Sequence, residues 1–286
     1  MTRKSTVYAF IPARSGSVGL PHKNILPIAG HPLLAYAIAF GKALGIDRVI
    51  LSTDPEEYAE IGRHYGAECP YLRGAEASSD TAMEEDILAD MEANLPRFGI
   101  EMPDIWLRLK PTNPFRKVED VRRAIDLLEA RPDVDSVRHV NASETRLCAI
   151  NDEGFLEPLI SGWPEGRSVI RRTEFPTAYQ VFNLDVLRHE NLAKLGSGYM
   201  GKRVLPIIGD AITGIDINNR DDFDVVKALI EMQPRPEVVA QHLVEPQEPA
   251  YQPCSDDQSG NPVSSERARS VAKTGRPRSR SRAKMP

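Results

Sequence analysis

"FIPARSGSVGLPHKNI", residues 10–25, runs from an apolar stretch straight into a loop of Ser, Gly and Pro that carries two cations, Arg14 and Lys23. With the residues before it, "TVYAFIPA" predicts a buried strand. Gly16 and Gly19 in the loop permit close approach or positive φ. Backbone N–H groups there can turn towards an anion, with Arg14 and Lys23 adding charge. The ligand this chemistry points to is a polyphosphate. The spacing fits neither the P-loop nor the Gly-x-Gly-x-x-Gly fingerprint, so a plain surface loop with two cations is the competing reading.

Working outward, short β-rich runs alternate with helical patterns. "PLLAYAIAFGKALG" predicts a helix with Pro32 in its first turn, "RVILST" a strand, and "PEEYAEIGRHYG" a helix. "DIWLRLKP" (strand), "KVEDVRRAIDLLEA" (helix) and "DSVRHV" (strand) continue the series. Strand then helix, repeated, predicts an α/β layered domain with a mainly parallel sheet. Ligands of such sheets sit at the carboxyl ends of strands, where the loops after "FIPA", "LST" and "LRLKP" gather.

The chain of 286 residues, 41% hydrophobic, can bury a real core. It holds no run of about 18 apolar residues, and its first sixteen residues carry too short an apolar stretch for a signal peptide. The expectation is a cytoplasmic protein with no membrane partner. Cys69, Cys148 and Cys254 are far apart, with neither disulfide nor zinc spacing. Residues 233–286 are dense in Pro, Ser and charge, which predicts a disordered tail after a folded domain spanning 1–232. The last 21 residues carry eight Arg or Lys against one Glu, so of the net charge of −5 the first 265 residues hold −12. Such a basic end is either a solvated extension or an anchor for nucleic acid or an anionic surface, and a nucleic-acid partner is not otherwise expected.

"IPARSGSVGLPHKNI" resembles the opening motif of the acylneuraminate cytidylyltransferase family, usually Ile-Pro-Ala-Arg-Gly-Gly-Ser-Lys-Gly-Ile-Pro-x-Lys-Asn. "ILSTDPEEYAEIGRHYGAECPYLRGAEASSDTA", "LRLKPTNPFRKVEDV", "IRRTEFP" and "GIDINNRDDFDVV" extend the resemblance in order, over about residues 7–230. It implies a three-layer Rossmann-like nucleotidyltransferase fold. It also implies transfer of a cytidylyl group from CTP to the anomeric hydroxyl of a sugar acid, with Mg²⁺ as cofactor. In such in-line attack on phosphorus, positioning and electrostatics do the catalytic work.

Carried over residue by residue, the resemblance implies that Arg14 and Lys23 contact the triphosphate, with Ser15, Gly16, Ser17 and Gly19 as the backbone cradle. Val18 stands where a lysine is usual. Asn24 falls on a nucleoside-contacting position, or else holds the loop; Arg73 meets the cytosine ring, or else pairs with Glu76; Ala82 closes over the base. Glu84 departs from a small hydroxyl residue. Asp54, in "DPEE", reads as a helix cap. Lys110 replaces the family's glutamine where nucleotide and sugar meet, and is expected to pair with the acceptor carboxylate or a phosphate oxygen. Arg171 and Arg172 serve the acceptor's carboxylate. Asp216 and Asn218 occupy the metal-binding Asp-x-Asp positions, the amide bringing no charge.

The stretch from about 141 to 187 corresponds to a smaller acceptor and dimerisation region, implying a homodimer. The expected acceptor is a sialic-acid-like nonulosonic acid. The alternatives are an eight-carbon acid of the Kdo type, another nucleotide, or a non-catalytic relative that works through its basic tail.

Overall fold

A computed structural model describes residues 4–17, 19–160, 162, 171–232 and 237–246. Strand β1 (Val7–Pro12) leads into the opening loop, a small hairpin of β2 (Pro27–Ile28) and β3 (His31–Pro32), and helix α1 (Leu33–Leu44). There follow β4 (Arg48–Ser52), α2 (Glu56–His64), α3 (Glu84–Asn94), β5 (Ile105–Arg108) and α4 (Val118–Ala130). Next come β6 (Ser136–Ser143), a hairpin of β7 (Cys148–Ile150) and β8 (Leu156–Pro158), and the long β9 (Ala178–Arg188). The chain continues through α5 (Glu190–Leu195), β10 (Val204–Gly209), α6 (Arg220–Met232) and α7 (Glu237–Ala240).

One six-stranded sheet, in the order β10, β6, β9, β5, β1, β4, carries the structure. β1 pairs parallel with β4 and β5, and β10 parallel with β6. β9 alone is antiparallel, inserted between β5 and β6. The parallel strands read as continuous apolar runs because helices cover both faces. On one face lies α1, apolar nearly all round and buried along eleven of its twelve residues. A Cβ on Gly41 would meet the side chains of Val49 and Leu109 at 2.9–3.3 Å, so the missing side chain is what lets this helix press onto the sheet. Pro32, extended, sits just before its first turn, and Gly45 ends it at φ +67°. α4 adds Val118, Val121, Ala124 and Leu128, spaced for one helical stripe.

The opposite face packs Ile87, Leu88 and Met91 of α3 against Tyr8, Phe10, Trp106 and Leu187. Trp106 meets Tyr8 and Phe10 edge-on, at 5.9 and 5.8 Å between ring centroids. The three layers and the mainly parallel sheet are those expected. Among the described residues no helix is long and apolar enough to cross a membrane.

The folded unit ends later than the composition marks. It runs to Pro246, and residues 247–286, with most of the expected tail, its basic end and Cys254, lie outside the described residues. α7 lies against α1, and Leu243 packs on the cluster of Leu20, Ile28, Leu33, Tyr36, Ile217 and Phe223. His64 Nε2 donates to the Glu245 carbonyl at 2.8 Å. The short stretch "VVAQHLV" lies between Pro-rich segments, which conceals this contact in the sequence.

A chain shortened to residue 236 should therefore be less stable than one ending at 246, by about 1–3 kcal/mol from lost apolar burial. Urea titration checks this; equal unfolding midpoints would show that 237–246 adds nothing.

Candidate active site

A cleft of about 470 Å³ opens over the carboxyl ends of β1 and β5. Arg14, Ser17, Lys23, Asn24, Arg73, Ala82 and Lys110 line it, so the structure gathers seven of the expected residues from four separate segments. Ser15, Gly16 and Gly19 belong to the same loop but are not among the lining residues, and Val18 lies outside the described residues.

The loop is held by its own polar contacts. The Ser15 N–H and hydroxyl donate to Asp54 at 2.8 and 2.6 Å. This corrects the reading of Asp54 as a cap: Pro55 occupies the cap position of α2, and the Asp54 carboxylate turns away from the helix to anchor Ser15. It also commits the Ser15 amide, which the cradle reading offered to a phosphate. Asn24, buried, donates from Nδ2 to the Arg14 carbonyl at 3.0 Å, so it holds the loop from within the cleft wall. Arg14 reaches Asp80 at 2.5 Å, joining the loop to the 78–82 turn. Gly16 does not have positive φ. What Gly19 supplies is close approach, since a Cβ there would strike the carbonyl oxygen of Asn218.

Across the cleft Arg73 is 5% exposed. Its Nε donates to Ser78 Oγ at 3.2 Å, while Nη2 is buried with no hydrogen-bond partner. No Arg73–Glu76 ion pair occurs among the described residues. Burial lowers the Arg73 pKa, opposed by Asp54 and Asp90. A buried donor left unmatched is costly, and a ligand carbonyl or ring nitrogen would satisfy it. Ala82, its N–H bonded to the Ser79 carbonyl at 3.2 Å, borders the same side.

The two cations and the acidic motif meet at the centre. Lys23 Nζ donates to the Ile217 carbonyl at 2.7 Å, and Lys110 Nζ stands 3.6 Å from Asp216 Oδ2. Burial lowers the Lys23 pKa, with Lys110 adding to the effect and Asp216 opposing both. Asp216 Oδ1 is buried and has no hydrogen-bond partner. Asn218 is exposed, its Nδ2 donating to the Asp216 carbonyl at 3.3 Å. Asp222 instead accepts from the Asn218 and Asn219 amides at 2.9 and 3.2 Å and so shapes the start of α6. Asn113 Nδ2 on the Ile215 carbonyl, and the Ile217 N–H on the Thr112 carbonyl, fix this segment to the loop after β5.

Another part of the cleft lining is made, Glu84 apart, of residues not singled out in the sequence. Arg108, Arg138, Glu84 and Tyr199 line it. Arg108 pairs with both Glu84 and the buried Asp185, and Asp185 also takes Arg138 Nε at 2.5 Å. Burial works against the Arg108 charge, but Asp185 and Glu84 outweigh it and raise its pKa. Glu84 thus does not stand in for a small hydroxyl residue; it is tied down by Arg108 and by the Tyr199 hydroxyl at 3.2 Å. A signal was present: "WLRL", "SVRHV" and "NLDVL" set Arg108, Arg138 and Asp185 inside apolar strands, which only mutual pairing makes tolerable.

Arg171 is exposed on the turn before β9 and is not among the lining residues; the side chain of Arg172 lies outside the described residues. The hairpin β7–β8 within the 141–187 stretch shows Ile150, Phe155, Leu156 and Leu159 at 63–74% exposure.

A family model described as cytidylyltransferase matches residues 8–153. The chain is 34% identical over 122 residues to a CMP-N,N'-diacetyllegionaminic acid synthase of Legionella pneumophila, covering 42% of this chain and 52% of that one. It is 28% identical over 240 residues to an N-acylneuraminate cytidylyltransferase of Escherichia coli, covering 82% and 54%. The chain thus spans about half the length of these relatives. Among solved structures, a CMP:2-keto-3-deoxy-manno-octonic acid synthetase complexed with CTP superposes with a TM-score of 0.59 at 17% identity, covering 80% of this chain and 99% of that one, a likeness of fold.

The loop geometry separates its two glycines. Gly19→Ala should cost about 1–3 kcal/mol, because the Asn218 backbone must move. Gly16→Ala, whose Cβ would find its nearest neighbour at 3.6 Å, should cost less than about 1 kcal/mol. Thermal melts of both variants decide, and equal shifts would contradict the close-approach role of Gly19.

Proposed function

Since the chain belongs to the cytidylyltransferase family, we propose that it transfers a cytidylyl group from CTP to the anomeric hydroxyl of a sialic-acid-like nonulosonic acid, releasing pyrophosphate and the CMP-activated sugar. The observation that carries this reading is the presence of Lys23 and Lys110 in one cleft beside the Asp216 carboxylate, whose Oδ1 is buried without a hydrogen-bond partner. The printed functions of the legionaminic and neuraminic relatives support the acceptor class.

In this reading the cytosine ring sits against Ala82 and takes the unmatched donor of Arg73. Arg14 exchanges its Asp80 partner for phosphate, Ser17 and the loop backbone follow the phosphate chain, and Lys23 draws charge from the leaving pyrophosphate. Lys110, above the α-phosphorus, holds the acceptor's carboxylate or a phosphate oxygen so that the anomeric oxygen attacks in line. The new O–P bond forms as the bond to pyrophosphate breaks, with no covalent enzyme intermediate.

The residues fit Mg²⁺. The unpartnered Asp216 Oδ1 is a hard donor, and the Asn218 amide oxygen is a second of the same kind. No cluster of three or more His, Cys, Asp or Glu suited to a metal occurs among the described residues, so such an ion would take its other ligands from phosphates and water. Mg²⁺ would supply charge neutralisation on the phosphates.

The apolar β7–β8 hairpin supports a homodimer in which Arg171 and Arg172 complete the acceptor site of the other copy, since Arg171 lies away from its own cleft. CTP is a cytoplasmic metabolite, and the reaction is placed in the cytoplasm on that ground.

Pyrophosphate release with Mg²⁺ and CTP should depend on a nonulosonic acid, and should fall about 10²–10³-fold in Lys23→Ala and Asp216→Ala. Asn218→Asp should lower the Mg²⁺ concentration for half-maximal rate. Release only with guanosine triphosphate, or only with an eight-carbon acid, would overturn the reading. Light scattering should give the mass of two chains for the wild type and of one for Ile150→Glu/Leu156→Glu; a monomeric wild type would overturn the dimer.

A further inference from the structure

Arg108, Asp185 and Arg138 stand directly opposite one another on β5, β9 and β6. They form one rung of alternating charge across three adjacent strands, on the sheet face that opens into the cleft. Asp185 is 1% exposed and accepts from Arg138 Nε at 2.5 Å and Nη2 at 3.3 Å, as well as pairing with Arg108. Glu84 closes the network from the first turn of α3.

The rung costs desolvation at every member, and apolar side chains would fill the same space at lower cost. Its neighbours along the same face, Phe10, Trp106 and Leu187, show that the sheet does use apolar residues there. What the charges provide is a fixed polar surface. Two cations and two carboxylates cancel, so this end does not attract an anion, unlike the Lys23–Lys110 centre. Asp185 grips Nε and Nη2 of the Arg138 fork and sets the plane of the guanidinium, leaving Nη1 outside that grip; Arg138 and Glu84 both line the cleft, with side chains 27% and 29% exposed. A donor and an acceptor on one cleft lining, joined through Arg108 and Asp185, match a neutral group that both accepts and donates, and an amide does so with its C=O and N–H.

Resting on the cytidylyl-transfer reading for the identity of the acceptor, we infer that Arg138, oriented by Asp185, determines acceptor specificity. It donates to the carbonyl of an acylamino substituent on the acid, while Glu84 accepts the amide N–H. Asp185 is a positioning residue.

The test is equilibrium binding to the full chain, with CTP and with two nonulosonic acids differing only in acetamido versus hydroxyl substituents, followed by pyrophosphate release. The wild type should favour the acetamido acid about tenfold or more, the scale expected when a site built to hydrogen-bond loses its partner. Arg138→Met and the charge-retaining Arg138→Lys should both reduce that preference below about threefold and leave CTP affinity unchanged, as removal of a hydrogen-bond fork rather than a charge requires. An undiminished preference in either variant overturns the inference. So does loss of CTP binding in both, which marks Arg138 as structural, and so does a wild type that binds neither acid. Acid binding with the expected pattern but no pyrophosphate release upholds this role for Arg138 and sinks the proposed reaction instead.

Discussion

Lys23 Nζ donates to the Ile217 carbonyl across 194 positions of sequence, and Gly19 passes so close to the Asn218 carbonyl that no side chain fits between them. These two contacts bring the loop after the first strand against the segment before α6. The cleft has its central charges because of this approach: Lys23, Lys110 and Asp216 come from three stretches of chain that meet only here. The hydrophobic cluster beneath, with Leu20 from one side and Ile217 from the other, keeps the two loops at that distance. Asn113 and Thr112 tie the third stretch, after β5, into the same junction.

The antiparallel β9 is the second determinant. It enters between β5 and β6 and brings Asp185 into register with an arginine on either side. Without it the buried Arg108 would keep only Glu84 as an ion-pair partner, and the half-buried Arg138 would lose the carboxylate that binds two of its nitrogens. The strand insertion and the charge rung are therefore one feature: the carboxylate makes the arginines tolerable, and the arginines make the carboxylate tolerable. The result is a cleft with a cationic centre and a charge-balanced end, a division suited to an anionic phosphate chain beside a neutral, polar sugar portion.

Much of this was legible. "VYAFIP" and "RVILS" are apolar runs too short for helices, and the helices between them show their spacing and their Pro and Gly punctuation, so the layered α/β arrangement followed from periodicity. Asp54 was harder. "DPEE" satisfies a helix-cap pattern, and only the fold reveals that Ser15, 39 residues away in sequence, offers the carboxylate two donors in place of a helix amide. Leu243 was illegible for a related reason. "VVAQHLV" is too short an apolar stretch, between Pro-rich flanks, to mark a folded element, and the burial of Leu243 comes from the cluster it packs against.

By itself the sequence determined the alternation of strands and helices as far as β6, α3 apart, the loop in which Arg14 and Lys23 stand, and the edge of the sheet where loops collect, because local pattern and turn chemistry act over a few residues. Only the tertiary structure decided which charges became neighbours. It gave Arg108 to Glu84 and Asp185, Ser15 to Asp54, and Lys23 to the Asp216 segment. Those pairings are set by strand register and by the approach of distant loops, and Coulomb forces and hydrogen bonds depend on distance in space, which no spacing along the chain records.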